Sequence, residues 1–245
     1  MLLRRITKHV KDQNWFAVAL DFVIVVVGIL IAFQITEWNQ GRSNEKLRVQ
    51  YLERLQTDLN ETIKYLSANE DNSEQKIEVV DAFVATLNAQ DSDENELILS
   101  TKDYFYRGTL FSDFKVFRST FDDLTSSGNL GILRSHELSA ALVTLNTNYA
   151  YKNEDFLVNT DWILPFESVL ATEFDWFRFD ELTSHLFPSQ PSVQVAAEIR
   201  LNEDKLRRHA ALHYWLGHNL KRDFRSMVEQ SQQVLDLVNK ELEKQ

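Results

Sequence analysis

The stretch from Trp15 to Ile35, WFAVALDFVIVVVGILIAFQI, constrains this chain more than any other feature. Only Asp21 and Gln34 interrupt it, and Phe22 to Phe33 is unbroken apolar sequence. A bilayer core needs about 20 such residues at about 1.5 Å each, so the segment predicts a transmembrane helix. Trp15 and Trp38 bracket it as interfacial aromatics would, roughly 35 Å apart along a helix. Arg4, Arg5, Lys8 and Lys11 precede it, as in a signal sequence, but no small-x-small cleavage pattern follows. The expectation is an uncleaved signal anchor. It divides the chain into a tail (1–14), a span (15–38) and an extramembrane region (39–245). Four basic residues stand before the span and Arg42, Lys46 and Arg48 soon after it, so the tail is placed in the cytoplasm.

Asp21, Val25, Gly28, Ala32 and Thr36 recur at helical spacing and share one face. Gly28-x-x-x-Ala32 is a small-xxx-small pair, which lets two helix backbones approach closely. A carboxylate inside a span is costly and usually faces protein or water, so Asp21 points to the same conclusion. This face is the predicted helix–helix interface.

The extramembrane region reads differently. Residues 1–38 carry four basic and three acidic side chains, which leaves a net −12 of the chain's −11 on the remainder. That balance argues against nucleic acid as a partner, since phosphate binding needs a concentrated positive field. Zero cysteines exclude disulfides, thiolate nucleophiles and iron–sulfur clusters. Six glycines and three prolines are too few for an all-β fold, so the chain is expected to be all-α: one transmembrane helix followed by a bundle of long antiparallel helices.

Asn39-Gln40-Gly41 is expected to interrupt the first helix, with Ser43 capping the next. Leu47, Leu52, Leu55, Leu59, Ile63 and Leu66 then form an apolar stripe. Ser73 is expected to cap a further helix that buries Ile77, Val80, Val84 and Leu87. The acidic run Gln90–Glu96 lacks the glycine and closing Glu of an EF-hand loop. The aromatics of 101–127 read as core, and Gly128 as a left-handed helix stop. Ser135 should cap a helix burying Leu138, Leu142 and Leu145, kinked or broken before Pro165. Residues 174–187 read as an aromatic loop on the bundle. The last helix, about Asn202 to Leu242, alternates by four and three through Leu206, Ala210, His213, Gly217, Leu220, Phe224, Met227, Ser231, Val234 and Val238. That is a coiled-coil-like seam.

Catalytic signatures are missing from the sequence. It has no phosphate loop, nucleophile elbow or dinucleotide fingerprint. Asp122-Asp123 and Glu154-Asp155 are adjacent pairs, which a helix points apart. No enzyme activity and no cofactor are expected. The one metal-like spacing is His209-x-x-x-His213, an i, i+4 pair able to chelate zinc or copper. No Glu occupies the HExxH position, and His218 is rotated away from His213. Alternatively His213 packs in the seam while His209 and His218 are solvated.

Residues His9–Trp15, Asp21–Ile35 and Trp38-Asn39 carry an acidic residue, a VVxGxxIxxQ core and a closing Trp-Asn. In these features the N-terminus resembles a bacterial single-span membrane-protein family of unknown function. The resemblance implies a protein anchored in the bacterial inner membrane, and no activity. Beyond it Leu124–Leu130 carries a weaker likeness. With the charge bias, the bulk of the chain is expected in the periplasm. The tail is too short for an output domain, so the leading expectation is an accessory or regulatory subunit. Its partners would be the bilayer and another membrane protein, or a second copy of itself. Two alternatives are a homo-oligomeric pore or proton path around Asp21, and a periplasmic metal-binding sensor using His209 and His213.

Overall fold

The computed structural model describes residues 15–89, 93–109 and 111–244. The expected tail (1–14) and part of the acidic loop lie outside the described residues, as do the side chains of Trp15 and Asp21. The described chain is all-α, with no strand. Six α-helices appear among the described residues: α1 Trp15–Asn88, α2 Glu94–Asp103, α3 Ser119–Ser126, α4 His136–Glu173, α5 Ser192–Leu201 and α6 Glu203–Leu242. The chain divides into two compact units, Met1–Gln50 and Tyr51–Gln245.

The first unit contains the N-terminal part of α1. Its 18-residue apolar window is long and apolar enough to cross a membrane, and 0% of it is buried. The break expected at Asn39–Gly41 does not occur, because α1 is one helix of 74 residues. Gln40 donates to Asn44 at 3.0 Å and the Arg42 guanidinium lies 5.0 Å over the Trp38 ring, both one turn apart. One glycine costs only about 1 kcal/mol in a helix interior, too little to end a helix that is satisfied on both sides. The cap expected at Ser73 fails likewise. Its buried hydroxyl donates to the carbonyl of Asn69 at 2.8 Å, the back-bonding that serine uses inside a helix.

Three long helices carry the second unit: residues 51–88 of α1, α4 and α6. Gln56, Glu70 and Glu74 of α1 meet Asn239, Arg225 and Lys221 of α6 in descending order. Asn148 and Lys152 of α4 meet Gln230 and Asp223 of α6 in the same sense. So α6 is antiparallel to both partners, and α1 and α4 are parallel to each other. All ten seam residues of α6 are buried. Gly217 is one of them, and a Cβ there would lie 3.0 Å from Ile77 Cγ1, so its lack of a side chain lets α1 and α6 approach.

Two apolar clusters stack along these helices. One joins Leu52, Leu55, Leu59 and Leu66 to Leu138, Leu142, Leu145, Leu220, Phe224 and Val234. The other joins Phe83 and Leu87 to Leu97, Phe105, Leu170, Phe174, Phe179, Ile199 and Leu206. Each fully buried side chain of this size contributes roughly 1.5–3 kcal/mol. The 174–187 segment packs here as two short 3-10 turns, through Phe174 and Phe179. The aromatics of 101–127 divide, with Tyr104, Phe105 and Phe114 buried and Tyr106 and Phe117 exposed.

Local signals behave as their chemistry predicts at two helix ends. Gly128 takes a φ of 70° just after α3, and the Ser135 hydroxyl accepts the Leu138 N–H at 3.2 Å. No break occurs at Pro165, for α4 runs through it to Glu173. Ile163 is buried in the first cluster and Leu170 in the second, so packing on either side holds the helix across the lost N–H.

A buried Glu–His–His–Tyr cluster

Between the two apolar clusters α6 carries His209 and His213 one turn apart, 5% and 3% exposed. From α4, two residues after Pro165, comes Glu167. From the π-helical turn Tyr104–Gly108 comes Tyr104, fully buried and stacked on Phe83 with ring centroids 4.3 Å apart. Such turns are rare and recur at functional sites. Gly108 is needed there because a Cβ would lie 2.9 Å from Tyr104 Cδ2.

Glu167 Oε1 is 2.8 Å from His209 Nε2 and 2.5 Å from His213 Nε2, and the two Nε2 atoms are 3.3 Å apart. Tyr104 Oη is 2.6 Å from His209 Nδ1. His213 Nδ1 is buried without a hydrogen-bond partner among the described residues, and Phe111 stacks on its ring at 5.6 Å. One protonation pattern satisfies the Glu167 and Tyr104 contacts without a metal. Each neutral imidazole donates Nε2–H to the ionised Glu167, and the Tyr104 hydroxyl donates to His209 Nδ1.

Burial would raise the Glu167 carboxyl, but the hydrogen bonds from His209 and His213, with the attraction their rings add when protonated, outweigh it and hold it at about 2. Burial pushes His213 below its ordinary value, with Glu167 opposing. Burial, then the Glu167 charge, pushes Tyr104 well above 10. The cluster is therefore an ionised carboxylate held by two imidazole N–H donors, with a hydroxyl behind one of them. The same donor atoms could also hold a metal ion.

Two spaces flank the cluster. His209 lines a groove of about 520 Å³ with Trp162, Phe166, Leu170, Arg208 and Leu212. Phe111 lines a smaller one of about 290 Å³ with Asn72, Gln75, Ser112 and the buried Lys76, whose ammonium lies 4.9 Å from the Phe111 ring.

Sequence spacing found His209 and His213, and the structure brings them together. It places His209 in the interior, against the expectation that it is solvated, because α6 packs against elements on more than one side. His218 is exposed, edge-on to Tyr214. Sequence reasoning missed Glu167 and Tyr104. The available signal was Glu167 as the lone acid in the apolar stretch Trp162–Leu170. Asp122 and Asp123 pair with different arginines, Arg118 and Arg54.

The predicted span face lies on α1 in the first unit. A Cβ on Gly28 would meet nothing within 4 Å, and Val25 is 58% exposed. The Thr36 hydroxyl donates to the Ala32 carbonyl at 2.9 Å.

No curated protein and no solved structure matches the chain. A protein family matches residues 21–160, a range that takes in Gly28, Ala32 and Tyr104 and ends before Glu167, His209 and His213. That match covers more than half of the sequence, and the chain belongs to this family of unknown function, DUF6090.

Proposed function

We propose that this protein is a single-pass, membrane-anchored helical accessory subunit that acts through protein contacts of its span and its acidic bundle. Its tail lies in the cytoplasm of a bacterium and the bundle in the periplasm. The observation that carries the reading is an apolar window on α1 of which 0% is buried. Exposed apolar surface of that extent has no place in water.

Magnitudes favour insertion. Phe22–Phe33 contains ten Phe, Val, Ile or Leu residues. At about 0.3–0.6 kcal/mol each they favour the bilayer by roughly 3–6 kcal/mol. Asp21 costs about 2.5–3.5 kcal/mol at most, and less near the edge of the span. Thr36 already satisfies its hydroxyl within the helix, which makes it compatible with a lipid or protein surrounding. Gly28 is open to whatever helix comes from outside, and smallness at Gly28 and Ala32 matters only if one does.

One experiment tests both halves. Membranes holding the full-length protein or Gly28→Leu are washed with alkaline carbonate, and the retained material is crosslinked in mild detergent. Both proteins should stay in the membrane pellet. The wild type should crosslink to itself or to a co-purifying membrane protein, and Gly28→Leu several-fold less. Release by carbonate would overturn the anchor, and equal crosslinking would overturn the interface.

A further inference from the structure

We propose that Glu167, His209 and His213 form a binding site for a divalent transition metal of the zinc class, with a fourth position open to a small ligand. Two helices supply the donors, an i, i+4 histidine pair from α6 and a carboxylate from α4. The two Nε2 atoms are 3.3 Å apart. Two nitrogens bound at about 2.0–2.1 Å to a tetrahedral ion are separated by about 3.3 Å, so the imidazoles already stand at the edge length such an ion needs.

Glu167 is closer than that edge, at 2.8 and 2.5 Å, because protons now fill the gaps. On exchange of those protons for a metal, its oxygen must retreat by roughly 0.5–0.8 Å. It has room, for its side chain is 30% exposed. The Tyr104 hydroxyl, 2.6 Å from His209 Nδ1, would turn from donor to acceptor and fix the ring with Nε2 facing the ion. Outer hydrogen bonds of this kind orient metal-binding histidines. Phe111 stacked on His213 holds the second ring.

Three protein donors leave one position of a tetrahedron unfilled, the arrangement of sites that exchange a water or a ligand. His209 is also part of the wall of the 520 Å³ groove, beside Phe166 and Leu212, so there is space next to the cluster for that fourth group.

The test uses the full-length protein in mild detergent, stripped with chelator and titrated with Zn²⁺ by calorimetry and with Co²⁺ by visible absorption. One ion per chain and the intense absorption of tetrahedral Co²⁺ are expected. His209→Gln and His213→Gln should each weaken Zn²⁺ binding at least 100-fold, and Tyr104→Phe by roughly 10-fold. The exposed His218→Ala should leave it unchanged. Circular dichroism and melting of each variant separate lost ligands from lost fold. Absence of saturable Zn²⁺ binding by the wild type would overturn the proposal. So would wild-type affinity in a folded His209→Gln/His213→Gln double variant.

Discussion

Tyr104→Phe isolates the one hydroxyl that links the buried cluster to its aromatic surroundings. The substitution keeps the ring stacked on Phe83 and the packing against Phe105, and removes only Oη. What is lost is the 2.6 Å bond to His209 Nδ1. A neutral hydrogen bond contributes about 0.5–1.5 kcal/mol net, and the partner left unpaired in the interior costs about 1–3 kcal/mol. His209 is 5% exposed, so water does not readily replace the hydroxyl and the full effect, about 1–3 kcal/mol, applies. For a unit the size of Tyr51–Gln245 each kcal/mol lowers the melting temperature by about 2–4 °C, which predicts a fall of roughly 2–12 °C. The assay is thermal unfolding by circular dichroism in mild detergent with chelator present. Tyr106→Phe is the reference, because Tyr106 is 52% exposed and its hydroxyl makes no hydrogen bond among the described residues. It should shift by less than 2 °C, since such surface changes stay within about 0.5 kcal/mol. Equal melting temperatures for the two variants would refute the reasoning.

Two further outcomes follow from packing and charge. Burial lowers the Lys76 ammonium from 10.5 to about 8, and no carboxylate pairs with it among the described residues. Below pH 8 the folded protein must carry that buried charge, while the unfolded chain carries it solvated up to 10.5, so the penalty is complete below 8 and fades as pH rises towards 10.5. Lys76→Met should therefore raise stability at pH 7 by on the order of 1–3 kcal/mol, after the attraction of the cation to Phe111 is set against the burial cost. The gain should shrink in melts at pH 9 and 10; a gain constant with pH would contradict the charge argument. In the second case, Gly217→Ala gains about 1 kcal/mol of helix propensity. Its Cβ would press to 3.0 Å on Ile77 Cγ1, and overpacking costs about 1–3 kcal/mol, so a net loss of about 1 kcal/mol is expected in urea unfolding. A stabilised variant would show that α1 and α6 are not closely apposed there.

How much of this was legible in the sequence depends on the range of the physics involved. The α6 seam was readable in full because a four-three alternation over forty residues leaves one stripe to bury, and all ten of its members are inside. Gly128 and Ser135 were readable because their chemistry acts on the next three residues. Breaks at Gly41 and Ser73 were over-read, and Pro165 does not end α4, for the converse reason. A local stop signal of about 1–3 kcal/mol yields to packing and helix cooperativity on both sides. Neither the parallel setting of α1 and α4 nor the meeting of Glu167 with His209, 42 positions apart, leaves any trace in local periodicity. His209 was misplaced because a single apolar stripe predicts one buried face, whereas α6 meets α1 on one side and α4 on another.

The anchor carries the whole functional reading, and retention after alkaline carbonate tests it most directly. The full-length protein, washed at high pH and recentrifuged, should remain in the membrane pellet. It should float with the lipid on a density gradient. Recovery in the supernatant, with nothing floating, would contradict the account at its root.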